Sequence, residues 1–519
     1  MRYIGVHCGH DTSLVVLSAS GNVELFAQAE RFHPREKKGW ALPPVFHAFP
    51  GFKVLPDDVV VFVAVNMHQE SDLRGYDPKL VQRTTGSFVH DGEIEIPGQY
   101  MISHHIAHVF SSWCFRPDDK PRMFIAYDGV GPDANHKALR HYLVGKITST
   151  GFSANYDSVD IASSIPVGGI LGYDSAGKAM GLAGYKVDAP KLEWTDENVL
   201  KILTMCRHYK PANGIVASTF PCLQEPLNEK NMDFVAGFYK WVIDQIWKGV
   251  KGNIEKFNPQ NGVVVSGGTS LALELNTKIH DMAGSLVFGP AVNDCGLALG
   301  AAVFGYFHRN NKWPQFSSAS LMSLQKRLPK VGPQEPELIA DKLAEGIVVG
   351  LLRGKAEIGP RSLGFRSILA NAGDPNNLKL VSQDIKEREF YRPLAPIVTA
   401  EQFDRFFDGP KGEYMQYRVM CNEEARRLLP VVVHRDLSSR PQVVYKDKDP
   451  WMHRLLVRYG ELTGVECLVN TSLNKAGKPI CNTYEDAQED MKGKPVELIS
   501  IAHPAHRFSH DYEEPKIYA

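Results

Sequence analysis

Neither sign of charge dominates this chain. In 519 residues, 58 Lys and Arg face 59 Asp and Glu. That balance excludes a global field that would gather nucleic acid or a membrane surface, although a local basic groove is compatible with it. The eight cysteines are scattered, with no Cys-x-x-Cys pair and no zinc-ribbon spacing. This excludes a disulfide framework and a structural zinc module, and reduced thiols in a cytoplasmic protein are expected. No run approaches the roughly eighteen apolar residues of a membrane span, so no membrane partner is expected. Met1-Arg-Tyr-Ile-Gly-Val-His7 lacks the charged-then-apolar pattern of a secretion signal. No period of about 20–50 residues marks a solenoid, and no low-complexity tract interrupts the chain.

What is present is a succession of short apolar strands closed by glycines. A chain of this length holds about two to four domains and can bury a large core. Strands are expected at Tyr3–His7, Leu14–Ser18, Val23–Ala29, Val59–Val65 and Met123–Tyr127. Helical patterns at Asp233–Val250 and Leu271–Ala283 alternate with them, which predicts an α/β architecture. A polar, weakly periodic stretch, Tyr306–Gln334, reads as a linker to a second α/β unit beginning near Pro336.

Three constellations carry chemistry. The buried-strand pattern Gly346–Leu352 runs into a loop in which Arg353, Arg361 and Arg366 alternate with Gly354, Gly359 and Gly364, with Ser362 and Ser367 among them. Glycine lets main-chain N–H groups approach a ligand, and guanidinium forks match phosphate or carboxylate. The loop reads as an anion site. In the first half, His104 and His108 stand four apart, a spacing that puts both imidazoles on one helix face. Asp128 ends a strand before Gly129, and Asp294 precedes a helix of small residues. Two imidazoles and two carboxylates suit Fe(II), Mn(II) or Zn(II) better than Mg(II) alone. A strand ending in Ser266-Gly267-Gly268 forms a second phosphate-cradle shape. His10 and Asp11, in a glycine-bounded turn between two strands, are candidates for acid–base work. A hydrogen-bonded turn accounts equally well for Asp11.

Taken in order, the motifs resemble the O-carbamoyltransferase family that includes the nodulation-factor and tobramycin carbamoyltransferases. The resemblance covers nearly the whole chain. It is carried by Gly9-His-Asp-Thr-Ser13, Gln28-Ala-Glu-Arg-Phe32, His104-His-Ile-Ala-His108, Asp128-Gly-Val-Gly131 and Gly177–Tyr185. It continues through Ser266-Gly-Gly268, Asn293–Ala302, the loop 353–367, Ile385–Pro396 and Val469–Asn474. The resemblance implies an actin-like ATPase domain (a duplicated RNase H-like fold) over 1–330 and a YrdC-like domain over 331–519. The second would make carbamoyladenylate from carbamoyl phosphate and ATP with its magnesium. The first would pass the carbamoyl group to an acceptor hydroxyl beside an iron held by His104, His108, Asp128 and Asp294. By the same resemblance His10 adjoins the transferring carbamoyl, and Arg361, Arg366, Lys386, Arg388, Arg392, Asn470, Ser472 and Asn474 serve nucleotide and carbamoyl phosphate. Lys178, Gly267 and Gly268 complete the expected nucleotide contacts, together with Arg353, Ser362 and Ser367 of the opening loop.

The chain departs from the family pattern at Lys186, Asn371 and Leu473, positions that bear on acceptor choice and loop shape. Pocket walls are expected from Trp40–Phe52, Asp72–Gly92 and Tyr156–Tyr173. A small-molecule hydroxyl (sugar, antibiotic or nucleoside) is the expected acceptor, and a monomer or homodimer the expected state. A nucleic-acid hydroxyl would use the same chemistry but gains nothing from the neutral charge balance. A sugar kinase on the actin-like fold leaves the second unit without a role.

Overall fold

Continuous apolar strands need cover on both faces, and the first sheet is built from such strands. The computed structural model describes residues 1–9, 11–32, 35, 49, 52–64, 81–84, 87–90, 94–128, 140–159, 176–192, 206–209, 220–223, 228–324 and 327–501. The first sheet comprises β1 (Tyr3–His7), β2 (Ser13–Leu17), β3 (Val23–Gln28), β4 (Val59–Ala64), β5 (Val81–Arg83) and β6 (Tyr100–Ser103). Their spatial order is β3-β2-β1-β4-β6-β5. The pairs β1/β2 and β2/β3 are antiparallel, whereas β1/β4 and β4/β6 are parallel.

The second sheet repeats this plan. It consists of β7 (Arg122–Tyr127), β8 (Arg140–Thr148), β9 (Gly151–Val159), β10 (Val263–Ser266) and β11 (Leu286–Phe288). The order is β9-β8-β7-β10-β11, again with two antiparallel pairs followed by two parallel ones. One strand order with one set of directions, used twice, is the duplicated architecture expected of the first unit.

Helices α1 (His104–Trp113), α2 (Ala176–Tyr185), α3 (Glu229–Phe257), α4 (Leu273–Ala283) and α5 (Leu297–Asn310) cover these sheets. Small residues decide how closely they approach. A Cβ on Gly5 of β1 would lie 1.9 Å from the Ala298 carbonyl oxygen of α5, and one on Gly300 of α5 would lie 1.9 Å from that of Ala107 in α1. The three elements are therefore pressed backbone to backbone. Helix α3 extends beyond the expected Asp233–Val250 at both ends. The expected helix 271–283 begins as a 3-10 turn, Gly268–Leu271, before α4. The expected linker starts late: Tyr306–Asn310 still belongs to α5, where Phe307 is buried and stacks on Trp313.

The part of the chain built on the third sheet, here the third unit, opens with α6 (Pro336–Ala344), whose proline stands in the first turn, where its missing N–H costs nothing. Its sheet holds β12 (Val349–Arg353), β13 (Arg366–Asn371), β14 (Ala395–Thr399), β15 (Gln442–Val444), β16 (Cys467–Ser472) and β17 (Glu497–Ile501). They lie in the order β15-β14-β16-β13-β12-β17, with parallel and antiparallel pairs mixed. Helix α7 (Pro450–Thr463) packs beside α6.

The loop between β12 and β13 leaves its own sheet and docks on the first unit. Ala356 and Ile358 join the buried cluster formed by α1, α5 and the first sheet. The Ile358 N–H donates to the Ala319 carbonyl at 2.9 Å, and Gly359, at φ +93°, lies where a Cβ would meet the Pro290 carbonyl oxygen at 2.0 Å. The anion loop is thus held between the two halves.

Candidate active sites

Helix α1 starts at His104, with Ser103 as its N-cap accepting from the Ile106 N–H. One helical turn separates His104 from His108, so both Nε2 atoms face the end of β7, where Asp128 follows Tyr127. The His108 carbonyl accepts from Ser266 Oγ at 2.6 Å, which fixes the helix against β10. Asp294 enters from the turn before α5. The His104 and His108 Nε2 atoms lie 3.1 Å apart. Asp128 Oδ2 is 3.1 Å from the first and 2.6 Å from the second. Asp294 Oδ1 is 3.5 and 3.4 Å from the same pair. All four ligand atoms fall within 4.8 Å of one another.

That convergence fits a divalent cation. Ligands about 2.1 Å from one ion stand roughly 3 Å apart, as these nitrogens do. Two neutral imidazoles, two carboxylates and a dication sum to zero charge, which a buried site requires. The alternative is protons. Burial opposes the charged imidazole of His104, but Asp294 and Asp128 more than reverse this and push it up to about 10. His108 moves the same way, burial again being outweighed by the two carboxylates. His105 shares the helix but not the carboxylates, and burial with the His104 charge pushes it down to about 3. The two Nδ1 atoms have no hydrogen-bond partner among the described residues.

Gly267 and Gly268 lie against this cluster. A Cβ on Gly267 would meet the Tyr127 carbonyl oxygen at 2.2 Å, and one on Gly268 would stand 3.2 Å from Asp128 Oδ1. Asp11 is buried at φ +60°, in the turn between β1 and β2. His10, Gly129 and Gly131 lie outside the described residues, as do most of the expected pocket walls.

The second cluster gathers around the third sheet. A π-turn, Leu380–Ile385, ends with the Lys386 N–H on the Val381 carbonyl at 3.1 Å, and Glu387 follows at φ +50°. Such irregular backbone is characteristic of functional segments. It turns Lys386 inward, where the ammonium donates to Ser472 and Asn474. Arg388 reaches Ser472 Oγ at 3.4 Å.

The charges of Arg361 and Arg392 act on Arg388 and Arg440. Burial, then the charges of Arg392 and Arg361, push Arg388 down to about 9. Burial, with Arg361, Arg388 and Arg392, pushes Arg440 well down. The carboxylate among them, Glu389, is engaged by Lys178 at 2.7 Å and Arg392 at 3.4 Å. Four guanidinium groups sharing a half-buried cleft call for an anion.

Not every expected contact faces that cleft. Arg366 donates to the carbonyls of Asn482, Arg353, Phe365 and Gly354 and is wholly buried. Arg353 pairs with Asp449 and lies between the Phe365 and Trp451 rings. Both shape the loop. Ser367 Oγ accepts from the Gly364 N–H, and Ser362 and Asn470 bond each other. Asn474 Nδ2 serves the Lys475 and Lys478 carbonyls. Lys178, on α2, crosses to the third unit. Arg440 is the residue that sequence reasoning missed. It stands alone before Pro441, with no glycine loop or repeated cation to mark it.

The family described as Carbamoyltransferase C-terminus matches residues 340–506, which include the arginine cleft. The chain is also 33% identical over 307 residues to nodulation protein U of Azorhizobium caulinodans, covering 57% of this chain and 53% of that one. The chain is similar to carbamoyltransferases over residues 340–506 and to this nodulation protein over about half its length. An uncharacterised protein of Methanocaldococcus jannaschii is 28% identical over 445 residues, 75% of this chain and 71% of its own. The chain thus spans only about half the length of that nodulation protein. Among solved structures, the activator of the 2-hydroxyisocaproyl-CoA dehydratase from Clostridium difficile with bound ADPNP aligns over 59% of this chain and 95% of its own. The identity is 12% and the TM-score 0.29.

Proposed function

We propose that this protein is an ATP-dependent O-carbamoyltransferase acting on a small-molecule hydroxyl. The arginine cleft carries the reading. Arg361, Arg388, Arg392 and Arg440 supply more positive charge than Glu389 can answer, matching a nucleotide and carbamoyl phosphate held together. In the third unit, water takes the phosphoryl group of carbamoyl phosphate. The carbamate oxygen then attacks the α-phosphorus of ATP, forming carbamoyladenylate and expelling pyrophosphate. The arginines neutralise charge that accumulates on the phosphate oxygens, and Ser472 Oγ offers a further polar contact.

The acceptor hydroxyl then attacks the carbamoyl carbon beside the first cluster. AMP leaves, and His10 or Asp11 receives the hydroxyl proton. A metal held by His104, His108, Asp128 and Asp294, with Fe(II) preferred, would supply Lewis acidity when bound. The docked loop and α2 limit loss of the labile anhydride to water.

The test is carbamoyl-phosphate-dependent ATP–pyrophosphate exchange, followed by a mass-spectrometric search for carbamoylated products in a pooled panel of alcohols. Arg361→Ala is expected to lower exchange by about a hundredfold or more, the scale seen when a transition-state charge donor is removed. Unchanged exchange in that variant removes the cleft from the chemistry.

A further inference from the structure

Arg31 lies in the short 3-10 turn Ala29–Arg31 that follows β3, and its side chain is fully buried. It touches the anion loop, Nη2 donating to the Gly359 carbonyl at 2.8 Å. Among the described residues, the rest of the guanidinium makes no hydrogen bond and has one longer ion pair, to Glu30. Nε and Nη1 have no hydrogen-bond partner among the described residues, and Glu30 Oε1, at 3.7 Å from Nε, is beyond hydrogen-bond range. A buried guanidinium normally has its donors satisfied.

Its position gives those donors a direction. Gly359 rests on Pro290 and Ala291, in the same turn that delivers Asp294 to the metal cluster. Arg361 of the anion cleft is two residues along the same loop. The Arg31 charge is felt on both sides, at Arg366 on the loop flank and at Cys295 next to Asp294. Arg31 therefore stands in the wall between the two candidate sites, tied to the loop that separates them.

We propose that Arg31 binds the phosphate of an acyl adenylate lying between the two sites, through Nε and Nη1. This rests on the carbamoyl-transfer reading above and adds a residue to it. The ligand class is a phosphodiester-type mixed anhydride, whose single phosphate charge matches one guanidinium edge. Gly359 O orients the guanidinium through Nη2, leaving the other edge for the ligand.

The experiment uses the full chain and hydroxylamine in solution. Hydroxylamine nitrogen attacks the carbamoyl carbon of escaped carbamoyladenylate and the bond to the phosphate oxygen breaks. AMP leaves, a proton goes to solvent and hydroxyurea accumulates. The quantity read is hydroxyurea formed per ATP–pyrophosphate exchange event. Arg31→Lys keeps the charge and a donor for Gly359 but loses the paired donors, and the ratio is expected to rise at least fivefold. A loss of folded protein lowers both numbers together, so the ratio still reports the folded variant. A ratio equal to that of the wild type overturns the inference. Absence of exchange in the wild type overturns the carbamoyl-transfer reading instead.

A second measurement needs no variant. In wild-type crystals grown with an acyl sulfamoyl adenosine, the sulfamoyl oxygens are expected within hydrogen-bond distance of Arg31 Nε and Nη1. Their placement elsewhere rejects the assignment.

Discussion

Arg440 is maintained at a cost to stability. Three other guanidinium groups face it, and burial adds to the penalty. Replacing it with methionine is expected to raise the unfolding temperature of the ligand-free protein by about 2–4 °C, a gain of about 1 kcal/mol. The same variant is expected to lose most of the stabilisation that ATP or pyrophosphate gives the wild type, as read by differential scanning calorimetry. A variant no more stable than the wild type would mean that the four cations do not strain one another. At the other cluster, His108→Ala removes one of two nitrogen ligands. Metal affinity should fall by about a hundredfold or more, since even partners of ligands contribute about 10–100-fold. Elemental analysis after dialysis decides it. The pH dependence has a fixed sign. His104 is held protonated up to about 10 in the metal-free protein. A metal must therefore displace a proton below that value, and apparent affinity rises with pH up to it. Titration calorimetry in buffers of different ionisation heat counts the protons released.

Helices α1 and α5 explain how ligands distant in sequence meet. Gly300 lets α5 touch the main chain of α1 at Ala107, one residue from His108. A side chain there must push the helices apart. Gly300→Val is expected to destabilise the protein by about 1–3 kcal/mol, or more if the backbone cannot yield. It should also reduce metal content, measured on the folded fraction. A variant that binds metal normally would show that the helix contact does not set the ligand geometry. At this scale much was legible in the sequence. The four-residue histidine spacing, the small residues after Asp294 and the glycine-ended strands are local patterns with local causes. The arginine cleft was only partly legible. Arg388 and Arg392 belong to a motif, but Arg440 reaches them through the third sheet, a contact that no local pattern encodes. Arg366 and Arg353 mislead for the opposite reason: composition shows the cations, whereas the carbonyls and the Asp449 carboxylate that consume them become visible only in the fold.

At the scale of the whole molecule, the units are joined by several ties, of which the crossing of the docked loop is one. The loop after β12 leaves its sheet to bury Ala356 and Ile358 in the core of the first unit. Arg35 makes a second tie, pairing with Asp490 at 2.5 Å and Asp486 at 3.4 Å. Gly359→Ala violates both the positive φ and the contact with Pro290, so it should loosen the crossing while leaving each sheet intact. Denaturant unfolding is expected to split from one transition into two, with limited proteolysis cutting between the units. A single transition at the wild-type midpoint would show that the crossing does not couple them. Met322 belongs to the buried cluster around the first sheet and Leu328 to the one around the third. The crossing was not legible, since nothing in Ala356 or Ile358 says which core receives it.

The doubled sheet plan divides the four candidate ligands between two separately built supports. His104 and His108 follow the first sheet, whereas Asp128 and Asp294 follow strands of the second. Each sheet therefore delivers only a pair of ligands, too few to hold an ion firmly by itself. Chelation by all four therefore requires both sheets in one folded chain.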